Sequence, residues 1–422
     1  MLYYVYPGGI VQKETNDSKF RKGKWQMLYN IKRIVIIILT VLLLTGCWGR
    51  REVNEIAIVT ATGIDLMEND SIRVTLLLAV PRLIGTSSVN GGGDSKLEVT
   101  AGWVVSEQGK TVMEAYNNLQ GKLPRKIFFS HNRVIVIGEK LARNGTLPIL
   151  DFFIRNKQSQ LKSTIIVTKF EATDVLKFKP KFEKLASEVM KGELHESSGT
   201  SVQLGRFITM LMDEGQEAYA PQISIVPSEK GGDGSTNLMV SQGAAVFQGD
   251  RLVGWLNDIE IMELLWLRNE KQEGVVTLEI PKKLGGGYVS GEMTNVHSKV
   301  VPIQQNGTIT VDIEISSLLN VYENTSKLDL NSLKDRSILS NLFAKEVMGD
   351  IEMLCTKVQK ELRSDIFGFG QKMYKQDPQI WKTNYANNWK AMFPEIEVDT
   401  LAKIMVVQTG LIGKGAIKED IR

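Results

Sequence analysis

The chain has 422 residues, of which 43% are hydrophobic, so it can form a sizeable core and more than one domain. The formal net charge of +3 arises near the N-terminus, because residues 1–46 contain seven of the 51 Lys and Arg side chains but two of the 48 Asp and Glu. The remaining 44 cationic and 46 anionic side chains nearly cancel. This balance gives no electrostatic reason to expect nucleic acid binding, so we predict no nucleic acid partner.

The N-terminal region has the pattern of an export signal. Lys32-Arg33 precedes an apolar run over 34–44 that one threonine interrupts. This run is too short to span a bilayer, which needs about 20 residues, but it suits a secretory signal peptide. It ends in Leu44-Thr45-Gly46-Cys47, an aliphatic residue and two small residues before a cysteine, which is typical of a lipoprotein signal. We therefore predict that residues 1–46 comprise a signal peptide with a start-site extension, and that Cys47 is lipidated.

Lipidation at Cys47 predicts a location for the mature chain. Each buried CH₂ group contributes about 0.8 kcal/mol, so one acyl chain anchors a protein marginally and two anchor it stably. A diacylglyceryl cysteine carries two chains and would hold the rest of the protein outside the cytoplasm at the membrane face. The alternative is a buried apolar segment with an incidental cysteine. A start at Met27 would give the usual short cationic leader, so the choice between Met1 and Met27 is left open, as is N-acylation of Cys47.

The second cysteine, Cys355, has no partner for a disulfide if Cys47 is acylated. It lies beside Leu354 in a helical apolar pattern, which predicts a small core residue. We therefore expect packing, and not a disulfide, to stabilise the fold.

Apolar periodicity predicts alternating strands and helices in the first half of the mature chain. The strand over 72–80 has one apolar face, whereas the strand over 133–138 is apolar on both faces. The predicted strands cover 56–65, 72–80, 133–138 and 164–169, the helices lie around 112–119 and over 141–155 and 199–212, and an extended run covers 221–227. We assign residues 47–227 to an N-terminal α/β domain.

A glycine-rich stretch over 228–237 is predicted to be the main linker. A C-terminal α/β domain over 238–422 follows, and its further division near 325 into a β-rich and a helical part is left open. The predicted elements are a hairpin of 240–248 and 252–256, helices over 259–268 and around 347–362, strands over 275–280, 299–303 and 308–316, helices with Trp381 and Trp389, and a strand over 397–407. The predicted fold class is therefore α/β, with α+β mixed sheets packed by helices.

The sequence lacks the usual catalytic and metal-binding motifs. Its three histidines, His131, His195 and His297, are far apart, and no second histidine follows His195 at zinc-motif spacing. It has no Cys-x-x-Cys pair, no Gly-x-Ser-x-Gly elbow and no dinucleotide fingerprint, and Gly91-Gly92-Gly93 lacks the ending of a phosphate loop. We therefore predict no catalytic, cofactor-binding or metal-binding residue, and a protein that is not an enzyme.

Several stretches, spread in order over nearly the whole mature chain, match one known family. They are 46–53, 57–59, 63–65, 130–139, 150–156, 243–247, 252–256, 264–267 and 364–370, together with Trp389 and Phe393-Pro394. Together they resemble the spore germination lipoproteins of the Ger(x)C family, the C subunits of germinant receptors in endospore-forming bacteria. Gly49 is a departure, because the family commonly has an acidic residue after the tryptophan.

The resemblance implies both a fold and a function. Members are multi-domain α/β proteins that act as non-enzymatic subunits on the outer face of the spore inner membrane. There they work with two integral membrane subunits, A and B, in sensing small nutrients. For this chain the resemblance implies a role in nutrient-triggered germination, with Cys47 as the attachment to membrane lipid. It leaves open which nutrient acts, whether that germinant contacts this subunit, and the stoichiometry of the complex.

Two of these stretches have a structural and a functional interpretation. In 364–370, two glycines would let the backbone leave the long helix while three apolar side chains pack beneath it, or the stretch would bind a ligand. Asn132 and Arg133 lead into a buried strand and would either form hydrogen bonds there or contact a partner.

Two other functions compete with that of a receptor subunit. A substrate-binding lipoprotein that delivers a nutrient to a membrane transporter would need two lobes and a hinge, for which the stretch 228–237 is the candidate. An envelope enzyme would need catalytic groups outside the usual motifs.

Overall fold

In a computed structural model of the chain, the described residues are 25, 27–39, 52–81, 101–196, 200–227, 237–305 and 307–408. The chain divides into two compact units, Met1–Ile56 and Ala57–Arg422. In the first unit, residues 27–39 are helical, and the Arg33 guanidinium lies 4.7 Å from the centre of the Tyr29 ring. Among the described residues, no helix has both the length and the apolar content needed to cross a membrane.

Nine of the described strands form one mixed sheet. They are β1 (Ile56–Leu66), β2 (Ile72–Ala79), β3 (Gly102–Gly109), β4 (Lys126–Phe128), β5 (Val134–Gly138), β6 (Thr164–Thr168), β7 (Tyr219–Pro227), β8 (Asn237–Gln248) and β9 (Arg251–Leu256). Their order is β3-β2-β1-β5-β6-β7-β8-β9, and β4 pairs with β1. β1, β5 and β6 are parallel neighbours, whereas β1–β2, β2–β3, β7–β8 and β8–β9 are antiparallel. β6 and β7 meet in parallel where Val167 faces Gln222.

Helices cover both faces of the parallel strands, which explains why these strands are apolar throughout. Because side chains alternate along a strand, Ile135 and Ile165 point into the larger core and Val134 and Ile166 into a second core. The larger core also contains residues of α1 (Val112–Lys122), α2 (Glu139–Asn144), α3 (Leu147–Arg155) and α6 (Leu204–Leu211), and the second contains residues of α4 (Ala172–Leu176) and α5 (Ala186–Glu196).

The predicted helix over 141–155 is wrong as a single element, because the chain interrupts it at Gly145. α2 ends there with a positive φ of 132°, and Thr146 donates its backbone N–H to the Asp250 carbonyl at 2.9 Å. α3 then starts with Pro148 in its first turn, where the missing N–H of proline costs nothing. Two short helices therefore replace one long helix.

Two further helices differ from the sequence-based expectation. α6 begins at Leu204, later than the predicted helix over 199–212, because Gln203 forms an antiparallel bridge with Thr164. α5 is an unpredicted helix that buries Met190 and Leu194.

Four other described strands form a second mixed sheet. They are β10 (Glu273–Glu279), β11 (Tyr288–Gln305), β12 (Thr308–Asn324) and β13 (Glu397–Gln408). β10, β11 and β12 are antiparallel neighbours, and β13 runs parallel to β12. β11 begins well before the predicted strand over 299–303, because register shifts at Ser290/Gly291 and between Thr294 and His297 disturb the apolar alternation.

A long helix, α8 (Leu333–Thr356), packs against β13. The predicted apolar stripe is confirmed, since Val347, Ile351 and Leu354 are buried on one side of α8. Cys355 is buried as well, as predicted for a core residue. The helix continues as a wider π-type turn over Lys357–Leu362, which α9 (Phe369–Gln376) follows. A further helix, α7 (Asp258–Leu267), lies between β9 and β10 in the sequence.

The predicted fold class, α/β with mixed sheets packed by helices, is confirmed. The strands on both sides of residues 228–236 are direct neighbours, because β7 pairs with β8 from Tyr219 opposite Val246 to Pro227 opposite Asn237. The sheet thus extends across the predicted linker. The assignment of 47–227 and 238–422 to separate domains stays a prediction.

Candidate functional site

The predicted lipidation site, Cys47, lies outside the described residues. The described chain resumes at Glu52, and a short helical turn, Val53–Glu55, precedes β1. The glycine-rich loop with Gly91-Gly92-Gly93 is also outside the described part. Lipidation of Cys47 therefore stays a prediction.

The three histidines lie on separate elements and are exposed to solvent. His131 packs near Phe128 with ring centres 6.1 Å apart, His195 is on α5, and His297 is on β11. Within the ranges that the structure describes, no group of three or more His, Cys, Asp or Glu side chains is placed to hold a metal ion.

A buried carboxylate, Asp365, organises the stretch between the π-type turn and α9. Its Oδ1 accepts backbone N–H groups of Gly368 at 2.8 Å and Phe369 at 3.0 Å. Its Oδ2 accepts the backbone N–H of Gly370 and the Trp389 indole N–H, both at 2.9 Å. The carboxylate therefore binds the first turn of α9 and an aromatic side chain that follows it by 24 residues in the sequence.

The electrostatics of Asp365 follow from these contacts. Burial raises its pKa to about 6, while the backbone N–H groups and the Trp389 indole oppose this rise. The side chain is therefore mainly ionised at neutral pH, and its charge is stabilised by neutral N–H dipoles that include the N-terminus of α9. This arrangement holds a helix start in place.

The stretch around Asp365 is attached to distant parts of the chain. The Ser364 hydroxyl donates to the Phe247 carbonyl at 2.6 Å, and the Glu217 N–H donates to the Asp365 carbonyl at 2.9 Å. The Gln371 N–H donates to the Gly215 carbonyl at 2.7 Å. We call residues 364–371 together with 213–217 the Asp365 joint. The joint connects α9 to the loop before β7 and to β8.

A charged network continues from the Asp365 joint to the end of α7. Arg268 donates to the Ile366 carbonyl at 2.6 Å and to the Glu270 carboxylate at 2.6 Å. The Tyr219 hydroxyl donates to the same carboxylate at 2.6 Å, and Arg206 pairs with it as well. Burial alone would raise the pKa of Glu270, but Arg268 and Arg206 hold it below its usual value, whereas burial raises the pKa of Tyr219.

A second buried carboxylate, Asp65, closes the end of β1. It accepts the Ala172 N–H at 2.6 Å, the Thr173 hydroxyl at 3.0 Å and the Arg73 guanidinium at 3.0 Å. A Cβ atom on Gly138 would lie 2.3 Å from Asp65 Oδ1, so this position needs glycine. Asp65 therefore ties α4 to the ends of β1 and β5.

Both ambiguous stretches form structural contacts, although the buried side-chain Oδ1 of Asn132 accepts no hydrogen bond from the described residues. In 364–370, Ile366, Phe367 and Phe369 are buried as expected, but Arg363, at φ 50°, ends the π-type turn before the two glycines are reached. At the start of β5, Asn132 is buried and its carbonyl accepts the Ser163 hydroxyl at 2.6 Å. The neighbouring Arg133 has an exposed side chain, and its backbone N–H donates to the Thr60 carbonyl at 3.0 Å.

Sequence reasoning missed Glu217 of the Asp365 joint and the residues Arg268 and Glu270 of the charged network beside it. The available signal was weak: a basic and an acidic residue follow directly after the apolar end of α7. Arg268 and Glu270 pair with each other, but their further partners, Ile366, Tyr219 and Arg206, are too far away in the sequence for a local pattern to reveal them. Chemically, the joint and its network hold elements together through paired donors and acceptors, and a carboxylate bound by N–H groups in this way is not a base aimed at a substrate.

Two models of protein families match the chain. The spore germination protein N-terminal domain matches residues 49–225, and the spore germination B3/GerAC-like C-terminal domain matches residues 242–410. The Asp365 joint contains residues from both matched regions.

Relatives from Bacillus subtilis (strain 168) match over nearly their whole lengths. YfkR, whose name assigns it to spore germination, is 30% identical over 394 residues, which make up 92% of this chain and 99% of YfkR. Spore germination protein KC is 26% identical over 399 residues, 89% of this chain and 95% of that protein. Spore germination protein B3 is 24% identical over 389 residues, 90% of this chain and 98% of that protein.

The fold is also shared with a solved structure. The crystal structure of the GerBC protein superimposes with a TM-score of 0.54 at 20% sequence identity and covers 82% of this chain and 97% of that chain. At this identity the likeness supports the fold alone.

Proposed function

Because this chain belongs to the Ger(x)C family of spore germination proteins, we propose that it is the lipid-anchored C subunit of a nutrient germinant receptor. A role in spore germination follows from the family, whose matched members are named for that process. These members are not known enzymes, in agreement with the predicted absence of catalytic function. The finer role, in a membrane receptor with A and B subunits, rests on Cys47 and on the resemblance to C subunits.

The observation that carries the proposal is the match to relatives over nearly their whole lengths. YfkR is matched over 99% of its length, and the two family models together leave few residues between 49 and 410 unmatched. A chain that shares every region with such proteins is expected to share their architecture and their process. The Asp365 joint supports a scaffold role, because it fixes helices and strands to one another and leaves no evident catalytic group.

The physical role of the anchor is to raise local concentration. Two acyl chains on Cys47 would confine the protein to a thin layer at the outer face of the spore inner membrane. Within that layer, contacts of modest affinity with integral A and B subunits become effective, because tethered partners meet at a high effective concentration. Germinant recognition could then be transmitted through the complex without a cofactor.

The substrate-binding alternative receives no support at its candidate hinge. Delivery of a nutrient to a transporter would require two lobes that move about residues 228–237. β7 and β8 flank this stretch and pair directly in one sheet, so a rotation there would break their ladder.

The proposal is tested by Cys47→Ala in the native host, followed by fractionation of spore membranes and by germination with defined nutrients. Thr45→Ser is the matched control, since it keeps a small residue in the lipoprotein signal. We expect Cys47→Ala to abolish both membrane retention and the response to particular nutrients, while Thr45→Ser behaves as the wild type. Loss of retention with unchanged germination would contradict the receptor role, and normal retention would contradict lipidation at Cys47. Loss of the A and B subunits from membranes that lack this protein would further support the complex.

A further inference from the structure

A basic and aromatic segment connects α4 to α5. Its sequence is Lys177-Phe178-Lys179-Pro180-Lys181-Phe182-Glu183-Lys184, and we call it the Lys-Phe segment. It contains four lysines and one acidic residue, so it carries a local net charge of +3 in a mature chain whose total is close to neutral. All four lysine side chains are solvent-exposed. The segment therefore concentrates positive charge on one part of the surface.

The most unusual residue of the Lys-Phe segment is Phe182, whose side chain is 100% exposed. Phe170, at the start of the turn that leads into α4, is 47% exposed. A phenylalanine normally buries its ring, because the transfer of apolar surface from water is favourable. Two exposed rings beside four lysines point to a surface that is covered in the working protein.

The ends of the Lys-Phe segment are firmly attached to the fold. Leu176 before it and Leu185 after it are both buried. Leu185 packs over Gly102 next to Leu77, since a Cβ atom on Gly102 would lie 3.1 Å from the Leu185 side chain. Leu77 is paired with Ala61 in the middle of β1. The fold therefore holds both ends of the Lys-Phe segment in place.

A cavity of about 600 Å³ lies beside the segment. Phe170 and Phe178 contribute apolar walls, Lys177 and Lys179 contribute two cationic groups, and Asp174 contributes one anionic group. The surface therefore combines aromatic area with positive charge over more than the projecting residues alone.

We propose that the Lys-Phe segment rests on an anionic lipid bilayer, with Phe182 at the level of the headgroups and the lysines beside lipid phosphates. A bilayer interface accepts both components, because an aromatic ring can enter the boundary between headgroups and acyl chains while lysine tips reach anionic groups on flexible stems. An acidic protein surface would match the lysines but would not by itself provide an apolar environment for Phe182.

The inference rests on the proposed function, since the lipid at Cys47 would bring the protein to the membrane. Ten positions separate Cys47 from Ala57. An extended chain of that length spans at most about 35 Å, so the tether would be short. A single lipid attachment would by itself leave the orientation of the protein open, and a second contact with the bilayer would select one orientation.

The test uses the full acylated chain in lipid vesicles. Phe182→Cys is labelled with an environment-sensitive fluorophore, because Cys47 carries the lipid and Cys355 is buried. The chain is reconstituted in vesicles of phosphatidylcholine alone and in vesicles that also contain phosphatidylglycerol. Leu333→Cys, labelled in the same way, is the matched control, since Leu333 is 76% exposed at the start of α8. Replacement of the four lysines by glutamine, combined with Phe182→Cys, removes the charge.

We expect fluorescence at position 182 to rise about two-fold or more with anionic vesicles, as for a group that leaves water for the interface. We expect no such rise in fluorescence at position 182 when the four lysines are replaced by glutamine, and none at position 333 in the wild-type background. An unchanged signal at position 182 on anionic vesicles would overturn the inference, and shielding of this position only when the A and B subunits are present would assign the segment to a protein partner. Flotation with neutral vesicles reports the Cys47 anchor alone, so its failure would contradict the proposed function whatever the fluorophore shows.

Discussion

At the scale of single residues, Glu263 is an acidic side chain in an environment that disfavours its charge. It lies in the middle of α7 with 3% of its surface exposed. Burial raises its pKa to about 8, and the nearby Asp350 of α8 and Glu260 of α7 add to the rise. Burial also raises the pKa of Cys355 to about 12, with a further contribution from Glu263. The contact between α7 and α8 is therefore built around an acid that is protonated at neutral pH.

Glu263 makes stability depend on pH in a defined direction. The pKa of about 8 in the folded state lies above the ordinary value of 4.5, so the folded state binds this proton more tightly. The contribution is fully present below pH 4.5 and is lost as the pH rises through 8. We predict that the wild type loses about 1.4 kcal/mol of unfolding free energy from this group between neutral and alkaline pH, and that Glu263→Gln removes the loss.

Urea unfolding at a series of pH values measures the effect of Glu263→Gln. Glu352→Gln is the control, because Glu352 lies on the exposed side of α8 and its removal should leave the pH profile unchanged. Equal alkaline losses in Glu263→Gln and in the wild type would show that another group is responsible.

At the scale of elements, the start of α9 depends on close packing between backbone and aromatic rings. The Trp381 and Trp389 rings lie 5.1 Å apart and cover Gly370. A Cβ atom at Gly370 would lie 2.6 Å from the Trp381 ring and 2.7 Å from the Trp389 ring. α9 can therefore begin here only because position 370 has no side chain.

Two glycine-to-alanine substitutions in helices should have opposite effects. Gly370→Ala forces the two rings apart and should lower the free energy of unfolding by about 2 kcal/mol or more, as for other overpacked sites. Gly349→Ala, inside α8, meets nothing within 4 Å and should raise it by about 0.5–1 kcal/mol, because alanine restricts the unfolded chain and favours the helix. Chemical denaturation of both variants checks the pair, and destabilisation of similar size in both would refute the packing argument.

Local patterns predicted most elements but little of the Asp365 joint. Apolar patterns predict β1, β2, β5 and the β8–β9 hairpin, because their apolar residues face one or two buried sides of the sheet. Such a pattern can be recognised within a few consecutive residues. The division of α2 from α3 depends on the contact of Thr146 with Asp250, 104 residues later, which periodicity does not report. The same limit applies to Ser364 with Phe247 and to Arg268 with Ile366, which are 117 and 98 residues apart. The predicted lipoprotein signal at Cys47 is also a local pattern, because its residues are adjacent in the sequence.

At the scale of the whole molecule, the two regions that the family models match share one sheet and one joint. β8 pairs with β7 along its length, and Phe247 of β8 packs against Phe207 of α6 with ring centres 5.1 Å apart. A chain that ends at residue 227 would lose both contacts. It would expose the edge of β7 and the apolar surface of α6.

We therefore predict that residues 47–227 produced alone aggregate or lack a cooperative thermal transition, and that co-expression with 237–422 restores a soluble complex. A protease site inserted into residues 228–236 of the whole protein provides the control, because the cut fragments should remain associated through the paired strands. Size-exclusion chromatography and circular dichroism distinguish these outcomes. A monomeric, cooperatively melting 47–227 would instead support two independent domains.

The parallel pairing of β13 with β12 has a consequence for how the protein is made. A parallel pair needs a long crossover, here from Asn324 to Glu397, so β12 leaves the ribosome well before the strand that completes its sheet. At roughly 5–20 residues per second, the interval is on the order of ten seconds. From the synthesis of α8 until β13 follows, the apolar side of α8 that packs against β13 has no strand to cover it. Aggregation of the nascent chain must be prevented until β13 has been added, so this strand sets the moment at which this half of the molecule can fold.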